Sequence, residues 1–109
     1  MSSAAEARQI ALSFPEASEQ DHHGFPSFRV DGKIFATLPD EEHLNVMLEE
    51  DDIRAAVAAH EEVCEEQWWG KKLTALRVEL FAVERGLLEA WLGDAWWRRA
   101  PSRLKSPSE

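Results

Sequence analysis

Hydrophobic positions along the chain switch between two spacings. Ala7, Ile10, Ala11 and Phe14 recur at helical intervals. Ser3-Ala4-Ala5-Glu6 before them has the form of a capping box, with Ser3 as N-cap and Glu6 at the third helical position. Pro15 closes this helix. Residues 15–24 are polar and read as a loop. Residues 26–30 and 33–38 then read as strands joined by Asp31-Gly32, a strong hairpin signal. Two registers are open there. A two-residue turn puts Phe28 and Phe35 on one face, whereas a three-residue loop with a bulge sets Phe28 against Ile34 and turns Phe35 away.

Beyond the turn at Pro39–Glu42, Leu44, Val46 and Leu48 alternate with Asn45 and Met47, the pattern of a half-buried strand. Glu50 to His60 reads as a short helix with acids in its first turn, where the helix dipole favours them. Its apolar stripe holds Ile53, Ala56, Val57 and His60. Residues 63–69 read as a fourth strand or an irregular edge, and Gly70-Lys71-Lys72 as a turn. Residues 73–80 alternate again. From Val83 to about Ala100 runs a last helix with Leu87, Leu88, Trp91, Leu92 and Ala95 as its core stripe.

The element order is therefore α-β-β-β-α-β-β-α. Short connections force adjacent strands to run antiparallel. The expected fold class is α+β: a two-layer domain over residues 1–100, in which a five-stranded antiparallel sheet carries its helices on one face and leaves the other at least partly open. Residues 101–109 read as a flexible tail.

A chain of 109 residues with 44% hydrophobic content makes one domain with a single core. No apolar run reaches the length a membrane span needs, and the N-terminus lacks the features of a signal peptide. Cys64 is the only cysteine, so a reducing cytoplasm is the expected home. Net charge is −9, unevenly placed: residues 40–66 hold eleven acids and one base, whereas residues 67–105 hold eight bases and four acids. Attraction of a polyanion is unfavourable at long range, but a local basic end survives.

Several segments resemble the MmcQ/YjbR family of small bacterial domains. They are Ser13-Phe14-Pro15-Glu16, His23-Gly24-Phe25-Pro26-Ser27-Phe28-Arg29-Val30 and Gly32-Lys33-Ile34-Phe35-Ala36-Thr37, with looser matches at Trp69-Gly70-Lys71-Lys72 and from Trp96 to Leu104. The resemblance implies helices on one side of a curved antiparallel sheet. It also implies a DNA-binding role, because that fold is similar to a "double wing" nucleic-acid module and to secretion chaperones. Arg98-Arg99 depart from the family pattern, which has apolar residues there, and are expected to make that helix end more basic and more exposed.

Arg29, Lys33, Lys71, Lys72 and Arg77 are candidates to hold phosphates on the open face and hairpin tips, with Trp69, or its neighbour Trp68, stacking on bases and Arg98 and Arg99 extending the basic end. The plain alternative is ordinary solvated charge. Trp68 and Trp97 are candidate protein contacts, Trp97 because it lies opposite the core stripe of its helix. The acidic block suits a basic partner, a second copy included, although a monomer is the expected state. His22 and His23 lie near Glu19 and Asp21, but adjacent side chains diverge and no matching ligand spacing occurs, so no metal and no cofactor are expected. Cys64 sits among acids, which disfavour a thiolate, and no serine lies in a nucleophile motif. Binding is therefore expected, not catalysis, with DNA or a protein as partner.

Overall fold

A computed structural model describes residues 1–105 and orders them α1 (Ala4–Leu12), β1 (Ser18–His22), β2 (Phe25–Val30), β3 (Lys33–Thr37), β4 (His43–Val46), α2 (Glu50–His60), β5 (Cys64–Trp69), β6 (Lys72–Glu79), α3 (Arg85–Arg99) and α4 (Ser102–Lys105). Ser3 caps α1 by accepting from the Glu6 N–H at 3.1 Å.

The sheet has six strands, not five, in the order β1-β2-β3-β4-β6-β5, and every pairing is antiparallel. The additional strand is β1, within the segment expected to be a loop. Its residues Ser-Glu-Gln-Asp-His carry no apolar alternation, and four of the five are exposed. Main-chain pairing with β2 and the Ser27 hydroxyl, which donates to the Gln20 carbonyl at 2.9 Å, hold it in place.

At the β2–β3 hairpin both turn residues have positive φ, 54° for Asp31 and 75° for Gly32, the combination a type I′ turn requires. The turn has two residues, and a bulge lies deeper in the hairpin: Arg29 faces Ile34 while Phe28 faces Ala36. Phe35 is the extra residue. Phe28 and Phe35 consequently both enter the core, each at 0% exposure.

One face of the sheet contributes Phe28, Val30, Ala36, Leu44, Val46, Leu76 and Val78 to a core cluster shared with Ile10 of α1, Ile53 of α2 and Leu88, Leu92 and Trp96 of α3. Since alternate residues of a strand point to opposite faces, the three long helices lie on one flank. The far face carries Gln20, Ser27, Arg29, Thr37, Asn45, Ala75 and Arg77. Ala75 is buried yet stands outside the core cluster, shielded by longer neighbours on that face.

The last helix begins at Arg85, two residues later than its periodicity suggests, and Val83 is buried in the turn before it. Of the segment expected to be a tail, residues 102–105 form a helical turn. Leu104 packs against the core, and Arg103 clasps Glu16 through two bonds of 2.8 Å. Residues 106–109 lie outside the described residues. No described helix is long and apolar enough to cross a membrane.

Candidate functional site

The β2–β3 and β5–β6 hairpins project to the same end of the sheet, on either side of β4. That strand has only four residues, and its pairing with β3 is confined to Ala36–Val46 and Thr37–Asn45. After Val46 the chain turns away through Met47 and Leu48 into α2. The hairpins are left with a gap between them. α3 ends below it, where the Arg98 guanidinium donates to the Met47 carbonyl at 3.3 Å and pairs with Glu49 at 3.5 Å.

The gap is an open cleft of about 590 Å³. Five of the eight candidate ligand-binding residues line it: Arg29 and Lys33 from the first hairpin, Lys72 from the second, and Arg98 and Arg99 from α3. Trp69 stands opposite Lys72 across the β5–β6 ladder and is 81% exposed. Lys71 lies in the adjoining turn, where Gly70 has φ 61°. Arg77 lies elsewhere on the far face, paired with Glu65 at 3.5 Å.

The electrostatics follow from which cations have partners. Arg8, Arg54, Arg77, Arg85, Arg98 and Arg103 each pair with a carboxylate. Among the described residues Arg29, Lys33, Lys71, Lys72, Arg99 and Lys105 have no acidic partner. Four of these six line the cleft. In a chain with 21 acids and 12 bases, acid-free cations would be expected to be few and scattered.

Arg99 is half-buried, contrary to the exposure expected of that helix end, because Ala100 behind it is buried and α4 folds back. Its Nε is buried without a hydrogen-bond partner among the described residues. Burial lowers its pKa, and neighbouring Arg98 lowers it further. A guanidinium stays charged at neutral pH regardless, so an anion would relieve both effects. Arg29 donates from Nε to the Ser27 hydroxyl at 3.1 Å, which orients it over the far face.

The two candidate protein-contact tryptophans are both partly exposed, but neither faces the cleft. Trp68 stands opposite Leu73 on the helix side, beneath Arg54, with its indole N–H donated to Glu66 at 3.0 Å. Trp97 is 55% exposed on the outer side of α3 and carries Lys105 over its ring.

The remaining cleft residues, among them Ile34, Thr37, Met47 and Thr74, were missed by sequence reasoning, and His22, weighed there as a metal ligand, also lines the cleft. The available signal was the shortness of β4 between two longer hairpins. A second cluster was also missed. His43 contacts Asp40 through Nδ1 at 3.0 Å and Glu79 through Nε2 at 3.0 Å. Glu79 lies 36 positions away, so only the β4–β6 register brings it near.

Among the described residues no group of three or more His, Cys, Asp or Glu gathers as a metal site. A family model described as YjbR matches residues 12–98, a span that includes both hairpins, most of α3 and the cleft residues other than Arg99. Comparison with curated proteins and with solved structures gave no match.

Proposed function

The chain belongs to the YjbR family, and from that premise we propose that it is a non-enzymatic DNA-binding domain that holds a strand's phosphates in the cleft between its two hairpins. The observation that carries this reading is the concentration of acid-free cations, Arg29, Lys33, Lys72 and Arg99, in one cleft of a protein whose net charge is −9. Trp69 beside Lys72 supplies a face on which a base can stack. The overall negative charge slows approach, but it is screened over about 8–10 Å at physiological salt, so the cleft's own charges dominate at contact. Cys64 is buried with its thiol pushed up to about 11, which supports binding over nucleophilic catalysis.

Binding of a fluorescent single-stranded oligonucleotide tests the reading. Four phosphate contacts give a log–log salt slope of about −3 for a single strand. Lys33→Glu with Lys72→Glu should abolish binding, since both side chains are exposed and the fold should survive. No binding at low salt by the unaltered protein overturns the proposal. A second reading, a protein-interaction module, is favoured by the exposed Trp97 on the outer side of α3. A partner captured by the protein and lost on Trp97→Ala would support it.

A further inference from the structure

We infer that the cleft receives the end of a strand, a nucleotide bearing a terminal phosphate monoester, and not the middle of a continuous polyanion. This rests on the nucleic-acid reading of the same site and narrows it.

The first reason is an acidic stretch at the cleft's edge. Glu50 itself lines the cleft and opens the first turn of α2, where Glu49, Glu50, Asp51 and Asp52 follow one another. Only two cations offset them: Arg98, which pairs with Glu49 at 3.5 Å, and Arg54, which divides itself between Glu50 and Glu66 at 3.9 Å each. A strand threading the cleft would have to leave across this acidic turn and would be repelled there. A strand that enters over the far face beside Arg29 and stops short of Glu50 keeps its terminal phosphate among the cations, although Glu65 and Glu79 also stand on that face.

The second reason is charge matching. An internal phosphodiester carries one negative charge, whereas a phosphate monoester carries about 1.5 to 2 at neutral pH. Lys33, Lys72 and Arg99 lack acidic partners among the described residues, and the Arg99 Nε is buried without a hydrogen-bond acceptor. Three such cations are better matched by the doubly charged group and its three free oxygens. The third reason is size: a volume of about 590 Å³ is of the order small-molecule sites use and accommodates one nucleotide.

The experiment compares one short single-stranded oligonucleotide in three forms, 5′-phosphorylated, 3′-phosphorylated and unphosphorylated, by fluorescence anisotropy at fixed salt. A nucleoside monophosphate and inorganic phosphate serve as competitors, and each is also titrated directly by calorimetry. The inference expects one phosphorylated form to bind about tenfold or more tighter than the unphosphorylated strand, the scale of a single strong charge-assisted contact. Lys33→Glu and Arg99→Gln should each bring that ratio close to one. Lys33→Glu alone decides the matter if Arg99→Gln does not fold. Equal affinity for all three forms overturns the inference and leaves the nucleic-acid reading intact. Calorimetric binding of the nucleoside monophosphate with no binding of any oligonucleotide keeps the monoester site and removes the DNA reading. No response to any of the five probes overturns both.

Discussion

Trp96 donates its indole N–H to the Pro15 carbonyl at 3.0 Å, joining α3 to the end of α1 across 81 positions. The same ring stacks on Phe14 with centroids 6.0 Å apart and is 6% exposed. This contact fixes the helix that delivers Arg98 and Arg99 to the cleft. Trp96→Phe keeps an aromatic ring but loses the hydrogen bond, and because Pro15 is exposed its carbonyl can be rehydrated. The expected loss of stability is about 1 kcal/mol. Trp96→Ala also opens a cavity and should cost about 3–5 kcal/mol. Urea titrations of both variants check the order. Midpoints equal to that of the unaltered protein in both variants would show that neither ring nor bond matters.

The same substitution should have opposite signs at two glycines. Gly32 holds φ +75° in the hairpin turn, and an added Cβ meets no atom within 4 Å. Gly32→Ala therefore suffers only the backbone penalty, about 1–2 kcal/mol. Gly93 sits inside α3, where a Cβ would make ordinary contact with Phe14 at 3.7 Å. Gly93→Ala should stabilise by about 0.5–1 kcal/mol through helix propensity. Thermal melts should move in opposite directions, and a destabilised Gly93→Ala would mean that α1 and α3 pack too tightly to accept a methyl.

Much of the fold was legible because apolar spacing reports burial. α2 falls on the very residues its pattern predicts, Glu50 to His60. Leu44, Val46 and Leu48 are all buried, as their alternation requires. β1 was illegible for the same reason. Its backbone is paired, but its side chains are mostly solvated, so it leaves no periodic trace. The hairpin register resisted because a turn residue pair sets the first rung but not the bulge at Phe35. At the candidate site, residue type marked the cations, but only topology gathers them. Nothing local ties Arg29 to Arg99, or separates Arg77, silenced by Glu65, from Lys72.

Asp40 gives a signed dependence on pH. Partial burial pushes its carboxyl up, but the Glu42 N–H at 2.7 Å, the His43 ring at 3.0 Å and the His43 N–H at 2.9 Å outweigh that and hold it below its usual value. A carboxyl lowered by folding stabilises fully above its unfolded value, about 3.9, and loses that contribution as pH falls through the folded one. The gap in urea midpoint between the unaltered protein and Asp40→Asn should shrink as pH falls from about 4 through the folded value. A gap that widens as pH falls below about 4 would reverse the assignment.

Cys64 should be inert in the folded protein. Burial pushes its thiol up to about 11, and Glu62 adds to the effect. Its Sγ donates to the His60 carbonyl at 3.3 Å. At pH 8 the thiolate fraction is then about a thousandth, against about a quarter for an ordinary cysteine. Alkylation should be slow in buffer and fast in denaturing urea. Rapid native labelling would place the thiol at the surface.

Trp69 and Trp97 separate the two binding surfaces, because each can be removed without touching the core. Trp69 is 81% exposed and makes no ring contact or side-chain hydrogen bond among the described residues. Trp97 carries Lys105 at 5.4 Å on the opposite layer of the protein. Stacking of one base is worth about 1–3 kcal/mol, so Trp69→Ala should weaken oligonucleotide binding by about five- to 150-fold with an unchanged melting temperature. Trp97→Ala should leave that affinity alone, since its ring does not reach the cleft. Trp68→Ala is the control between them: its ring lies beneath Arg54 and its N–H is held by Glu66, so it should cost some stability but little affinity. If Trp97→Ala weakened binding as much as Trp69→Ala did, the ligand would have to wrap around α3, and the cleft could not be the whole of its footprint.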